Sequence, residues 1–225
     1  MGQPDVELCT CGEPVRSARA STPAKRQLRQ RLLRARARRS KEELETAATE
    51  ITRRVLNLPE IATAWTVAAY VSTVEEPSTR VVLDDLHHRG VVVLLPYLLD
   101  DDDLEWGRYE PDLLRVERRG ILEPAGERLG PGAITDADVV ICPGVAGTAR
   151  GARLGRGGGS YDRALARTRP RALRVLLLYD DEVVDALPGE AHDQPVDVIV
   201  TESRVLRTTS AETSTWPATP GFRRA

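Results

Sequence analysis

Apolar positions along this chain follow two different periods. Between Leu44 and Val55 they recur at helical spacing, with Leu44, Ala48, Ile51 and Val55 on one face. Ser40 and Glu43 frame a capping box just before that run, which predicts a helix stopping near Pro59. An earlier helix is expected over residues 23–39, because Pro23 suits a first helical turn. Elsewhere the apolar residues come in short continuous runs, the pattern of buried strands: residues 65–71, 91–95, 138–142, 173–179 and 196–200. Residues 78–89, closed by Gly90, read as a helix. Another helix is expected from Tyr161, and a short one over residues 182–187. Strand, helix and strand with short links make a βαβ unit with parallel strands. The pattern predicts an α/β fold, a three-layer Rossmann-like domain around a mostly parallel sheet. Ligands bind beyond the carboxyl ends of such strands.

Boundaries follow from where periodicity fails. Residues 1–22 and 207–225 are rich in small and polar residues and are expected to be disordered extensions flanking one domain over residues 23–206. At 225 residues the chain is long enough for a sizeable core. Its net charge of −2 gives no global field for nucleic acid or membrane. Of 32 basic residues only Lys25 and Lys41 are lysine, which reflects a GC-rich genome more than a function. Cys9, Cys11 and Cys142 are too few and too irregular for a disulfide framework or a zinc site, and Cys142 closes an apolar run that belongs in a core. With no apolar leader and no run of about 18 apolar residues, the expected location is cytoplasmic. Asp100 to Asp103 are expected to form a solvated hairpin turn, since like charges in a row stay in water.

Chemistry concentrates between Gly151 and Asp162. Gly151, Gly155, Gly157, Gly158 and Gly159 alternate with Arg153 and Arg156, and Tyr161 and Asp162 close the segment. Glycines let consecutive backbone N–H groups converge on an anion. Arginine adds planar donors that match phosphate, and Asp162 offers a hard oxygen where a phosphate-bound Mg²⁺ would sit. No lysine follows the glycines, so this is not the common P-loop. Ser160 breaks the dinucleotide fingerprint counted from Gly155.

With its flanks, residues 137–146 and 153–165, the segment resembles the signature of the 5-formyltetrahydrofolate cyclo-ligase family. Further collinear stretches are similar to the same family: Lys25 with Leu28 and Arg29; Tyr70, Val71 and Ser72 followed by Glu76 and Thr79; residues 120–124; and His192 with Asp193 ahead of residues 197–201. The chain departs from it at Gly147 and Thr148, where Phe-Asp is frequent, and at Ser160, often aromatic there. An aromatic near Arg119 in some members is missing too.

The resemblance implies ATP- and Mg²⁺-dependent cyclisation of 5-formyltetrahydrofolate, with or without a polyglutamate tail, to 5,10-methenyltetrahydrofolate, ADP and phosphate. It implies that Lys25 and Arg29 hold ATP phosphates, and that Arg153, Leu154, Gly155, Arg156, Gly157, Gly158, Gly159, Ser160 and Tyr161 wrap the triphosphate. Arg156 meets the transferring phosphoryl group as the catalytic residue. Val71 and Glu76, with Arg156 through Ser160, contact the folate. Asp162 and Asp197 hold Mg²⁺. The expected state is a monomer. Two rival functions stand beside it. One is a nucleic-acid module built on the arginine-rich helix from Lys25 to Arg39, disfavoured by the acidic balance and few aromatics. The other is an NAD-type oxidoreductase with Asp180 as ribose-binding acid, disfavoured by the broken fingerprint.

Overall fold

A computed structural model describes residues 22–116 and 122–209. Nearly all of both expected extensions, with Cys9, Cys11 and Arg119, lies outside those residues. In chain order, α1 (Pro23–Arg36), α2 (Lys41–Leu56) and α3 (Pro59–Thr63) lead into β1 (Thr66–Ala68), α4 (Arg80–His88), β2 (Val92–Leu98) and β3 (Leu104–Arg108). A small hairpin, β4 (Leu114–Val116) with β5 (Leu122–Pro124), precedes β6 (Val139–Pro143). Then come a second hairpin, β7 (Ala146–Gly147) with β8 (Arg153–Leu154), helix α5 (Ser160–Ala166), β9 (Leu173–Leu177), β10 (Val198–Val200) and β11 (Val205–Arg207).

Seven strands make the main sheet in the order β11-β10-β9-β6-β1-β2-β3. The five inner strands are parallel and the two edges antiparallel. Val67 of β1 pairs with Val93 on one side and Val139 on the other, so the chain leaves β1 toward β2 and later returns to β1's opposite flank. That divergence opens a crevice beyond the carboxyl ends of β1 and β6, where ligands bind in open α/β sheets.

Alternation along the strands divides the core in two. Val67, Val139, Ile141 and Val175 face Ile51 and Val55 of α2, Ile61 of α3, and Val82, Leu83 and Leu86 of α4. Ala68, Val140, Cys142 and Leu176 face Ala164 and Leu165 of α5, together with Trp106 and Ile134. Two covered faces explain why the strands read as continuous apolar runs instead of alternating ones. A third cluster sets Leu32 of α1 against Val145, Ala146 and Leu154, fixing α1 to the β7–β8 hairpin. Among the described residues no helix is long and apolar enough to cross a membrane.

The expected layers are present, with local corrections. The capping box forms, Glu43 N–H donating to Ser40 Oγ at 3.2 Å and Ser40 N–H to Glu43 Oε2 at 2.7 Å. Helix α1 ends at Arg36, and Pro59 starts a further helix instead of only stopping one. Residues 182–187 form no helix; a 3₁₀ turn over Asp180–Glu182 takes its place. Thr22 and Thr208 belong to the domain: Thr22 Oγ1 accepts the Lys25 N–H at 3.3 Å, and buried Thr208 donates to the Val196 carbonyl at 2.6 Å. The hairpin turn at Asp100–Asp103 is there, but Asp103 is not left to water. Arg167 holds its carboxylate at 2.5 and 3.0 Å.

Candidate active site

Two loops face each other across the crevice. The first, residues 69–79, joins β1 to α4 and contains no glycine. It is fixed by its own side chains. Ser72 N–H donates to Thr79 Oγ1 and Thr79 N–H to Ser72 Oγ, each at 3.1 Å, and the Thr79 hydroxyl donates to the Tyr70 carbonyl at 2.6 Å. Residues that cap turns this way make a loop rigid without a helix or a strand. Glu76 is held in it by one oxygen, Oε2, which accepts the Thr73 N–H at 3.0 Å. Val71, expected at the folate, is buried in the main core cluster beneath this loop.

The second loop is the glycine segment. It does not follow β6 directly, because the β7–β8 hairpin intervenes and carries Arg153 back to the mouth of the crevice. Arg153 is buried, and its Nη2 donates to Asp162 Oδ1 at 2.6 Å. A Cβ on Gly155 would stand 2.9 Å from Arg153 Nη1, so a side chain there would have to push that guanidinium aside. Gly157 and Gly159 have φ of +115° and +70°, left-handed values that favour glycine. Arg156 is half exposed and reaches across the crevice to Glu76 Oε1, with Nη2 at 3.1 Å and Nε at 3.3 Å. The β2–β3 turn forms a further wall. Arg163 donates to the carbonyls of Asp102 at 2.5 Å and Gly158 at 3.2 Å, so the acidic turn buttresses the glycines.

Helix α1 supplies the remaining cations. Arg29 Nε donates to the Gly155 carbonyl at 2.7 Å, and its guanidinium lies about 3.5 Å from where a Gly157 side chain would begin. Burial lowers its pKa, with the charge of Glu190 opposing. Lys25 Nζ is buried between Asp193 Oδ2 at 2.8 Å and Glu190 Oε2 at 3.3 Å. Glu190, His192 and Asp193 offer ligand atoms within 4.8 Å of one another, a cluster with no role visible in the sequence. Asp162 touches the same segment through the Gln194 N–H at 3.3 Å.

The fold therefore gathers Lys25, Arg29, Glu76, Arg153, Arg156 and Asp162 around one crevice. Leu154 contributes its side chain to the core and only its backbone to the loop. Among the described residues no hydrogen bond or ion pair joins Asp197 to this group. Asp197 stands at the opening end of β10, and its carboxylate accepts the Arg174 N–H at 2.8 Å. Burial pushes its pKa up, as expected of a carboxylate placed to close a strand contact. Asp162 meets the segment that follows Asp193 through the Gln194 N–H. Arg36, also missed, is buried behind the site.

Several buried polar atoms here have no hydrogen-bond partner: Arg153 Nε, Arg36 Nη1 and Tyr161 Oη. Burial, then the charges of Cys142 and Glu76, raise the Tyr161 phenol well above its usual range, so it remains a neutral donor. Unspent donors, the guanidinium groups of Arg29, Arg153 and Arg156 at one loop, and glycines that keep it open fit a polyanion. Asp162 beside them fits a hard cation carried by that anion.

The comparisons with known proteins agree with one another. Residues 21–202 match the model of the 5-formyltetrahydrofolate cyclo-ligase family. A 5-formyltetrahydrofolate cyclo-ligase of Mycolicibacterium smegmatis is 38% identical over 144 residues, covering 62% of this chain and 74% of the relative. One of Escherichia coli K12 is 34% identical over 160 residues, covering 68% and 86%. The NMR structure of Aquifex aeolicus 5,10-methenyltetrahydrofolate synthetase superposes with a TM-score of 0.72 at 34% identity, over 82% of this chain and 93% of that one.

Proposed function

The chain belongs to the 5-formyltetrahydrofolate cyclo-ligase family, and on that premise we propose that its crevice joins ATP and 5-formyltetrahydrofolate for cyclisation to 5,10-methenyltetrahydrofolate. The formyl oxygen attacks the γ-phosphorus of ATP and ADP leaves. N10 then adds to the activated carbon, and the C–O bond breaks to release phosphate as the ring closes. No protein nucleophile is required. Positioning and charge neutralisation carry such a transfer.

The observation that carries this reading is the meeting of Arg156 with Glu76 across the crevice. It joins the glycine loop proposed for phosphate to the loop that would hold the folate. Lys25, Arg29 and Arg153 hold the phosphates with the backbone of residues 155–159. Tyr161 adds a neutral donor, and Arg156 meets the phosphoryl group in transfer. Glu76 accepts from polar N–H groups of the folate. Mg²⁺, when bound, offsets charge on the phosphate oxygens. Asp162 and Asp197 are its proposed ligands.

The test is direct. Purified protein with 5-formyltetrahydrofolate and Mg-ATP should develop methenyltetrahydrofolate absorbance, and should not without ATP. Folded protein that forms none would remove the proposal.

A further inference from the structure

Glu76 spends its two oxygens differently. Oε2 is tied to the Thr73 N–H within its own loop, and the reciprocal Ser72–Thr79 bonds keep that loop in place. The carboxylate is nearly buried and cannot follow a moving partner. Oε1 is the oxygen turned to the crevice, and Arg156 occupies it. Arg156 has the opposite character. Its side chain is 54% exposed, and among the described residues Glu76 is its one hydrogen-bonding or ion-pairing partner. It stands between Gly155 and Gly157, so it can swing while buried Leu154 stays fixed.

We propose that Glu76 Oε1 is an exclusive acceptor for which Arg156 and the N–H groups of the folate compete, so that folate binding releases Arg156 to the phosphates and tightens nucleotide binding. This rests on the reading of the site given above. A guanidinium paired with a carboxylate presents little net charge to a phosphate about one side chain away. Once freed, it presents a full charge and its planar donors. Glu76 is then a positioning residue that acts through Arg156. The coupling is reciprocal, so bound nucleotide tightens folate by the same factor. Couplings of this kind span roughly 5–150-fold, and the exposure of Arg156 puts this one at about tenfold.

The test is calorimetric titration of the full chain with a non-hydrolysable ATP analogue and Mg²⁺, with and without 5-formyltetrahydrofolate. Wild-type protein should bind the analogue about tenfold more tightly when folate is present. Glu76→Gln keeps a carbonyl oxygen for the Thr73 N–H but gives Arg156 no charge to pair with. It should bind the analogue without folate about as tightly as wild type does with it. Arg156→Ala should show no effect of folate, and Glu76→Gln in that background no gain. Wild-type affinity indifferent to folate, or a folded Glu76→Gln that binds no tighter, would overturn the exchange. If Glu76→Gln does not fold, the wild-type and Arg156→Ala titrations decide. Wild-type cyclisation without coupling removes this inference alone; no cyclisation at all removes the site reading beneath it.

Discussion

Arg36 and Glu182 meet in a bidentate ion pair from which solvent is excluded, Nε to Oε1 at 2.5 Å and Nη2 to Oε2 at 2.7 Å. The same Nη2 donates to the Gly144 carbonyl at 2.6 Å, and Glu182 Oε2 accepts the Tyr179 N–H at 3.0 Å. One pair thus ties the helix that carries Lys25 and Arg29 to the exits of β6 and β9. Burial pushes the Glu182 carboxyl up, and the bonds from Arg36 pull against it.

Removing one member strands the other charge in the interior. Arg36→Met or Glu182→Gln should each cost about 3–5 kcal/mol of unfolding free energy, whereas Arg36→Met with Glu182→Leu should recover most of it. Urea unfolding of the three proteins measures this. Single variants with wild-type midpoints would mean that the pair is not what holds α1.

Arg156→Ala should act on turnover and leave stability alone. The side chain is exposed and packs no core, so thermal unfolding should not shift measurably. Electrostatic stabilisers of a transferring group are worth roughly 3 kcal/mol in the barrier, on the order of a hundredfold in kcat. Near wild-type kcat would move Arg156 away from the reacting centre.

A pH effect is expected at the β2–β3 turn. The bonds from Arg167 lower the Asp103 carboxyl, with burial opposing. A depressed carboxyl stabilises the fold above its unfolded pKa, about 3.9 for aspartate, and that stabilisation is lost as pH falls through the folded value. Asp103→Asn should therefore melt below wild type at neutral pH. The gap should narrow on acidification and close below the folded pKa. Melting temperatures across pH 2–7 would show it, and a constant gap would assign the effect to packing.

Much of this was legible because burial writes itself into sequence. The continuous apolar runs gave the inner strands, since both faces of the sheet are covered. Glycines among arginines marked the loop that lines the crevice, because few other needs bring those residue types together. Three things were hidden. The β7–β8 hairpin has two-residue strands, too short for any period. Arg36 lay in an arginine-rich run, and only its position four residues after Leu32 sets it on the buried face of α1. Asp193 had no role in the sequence, because only the folded chain brings it beside Lys25.

Asp162→Asn should do two separable things. Asp162 Oδ1 accepts from Arg153 Nη2, and the Arg153 side chain is only 3% exposed. Asparagine keeps an acceptor but leaves that guanidinium without its counter-charge, at a cost of about 1.5–3 kcal/mol. Melting should fall accordingly. It would not fall if Asp162 served only in the first turn of α5, where no side-chain cap bond forms. The second effect concerns the cation. Asparagine is a poor ligand for Mg²⁺, so half-maximal rate should require more of it, while the KM for folate should change less. Titrating Mg²⁺ against initial rate, well below the variant's melting temperature, separates the roles. A stability loss with superimposable Mg²⁺ curves would leave Asp162 as the partner of Arg153 alone. Higher Mg²⁺ demand together with that loss would mean that the carboxylate serves arginine before the nucleotide arrives and the cation afterwards.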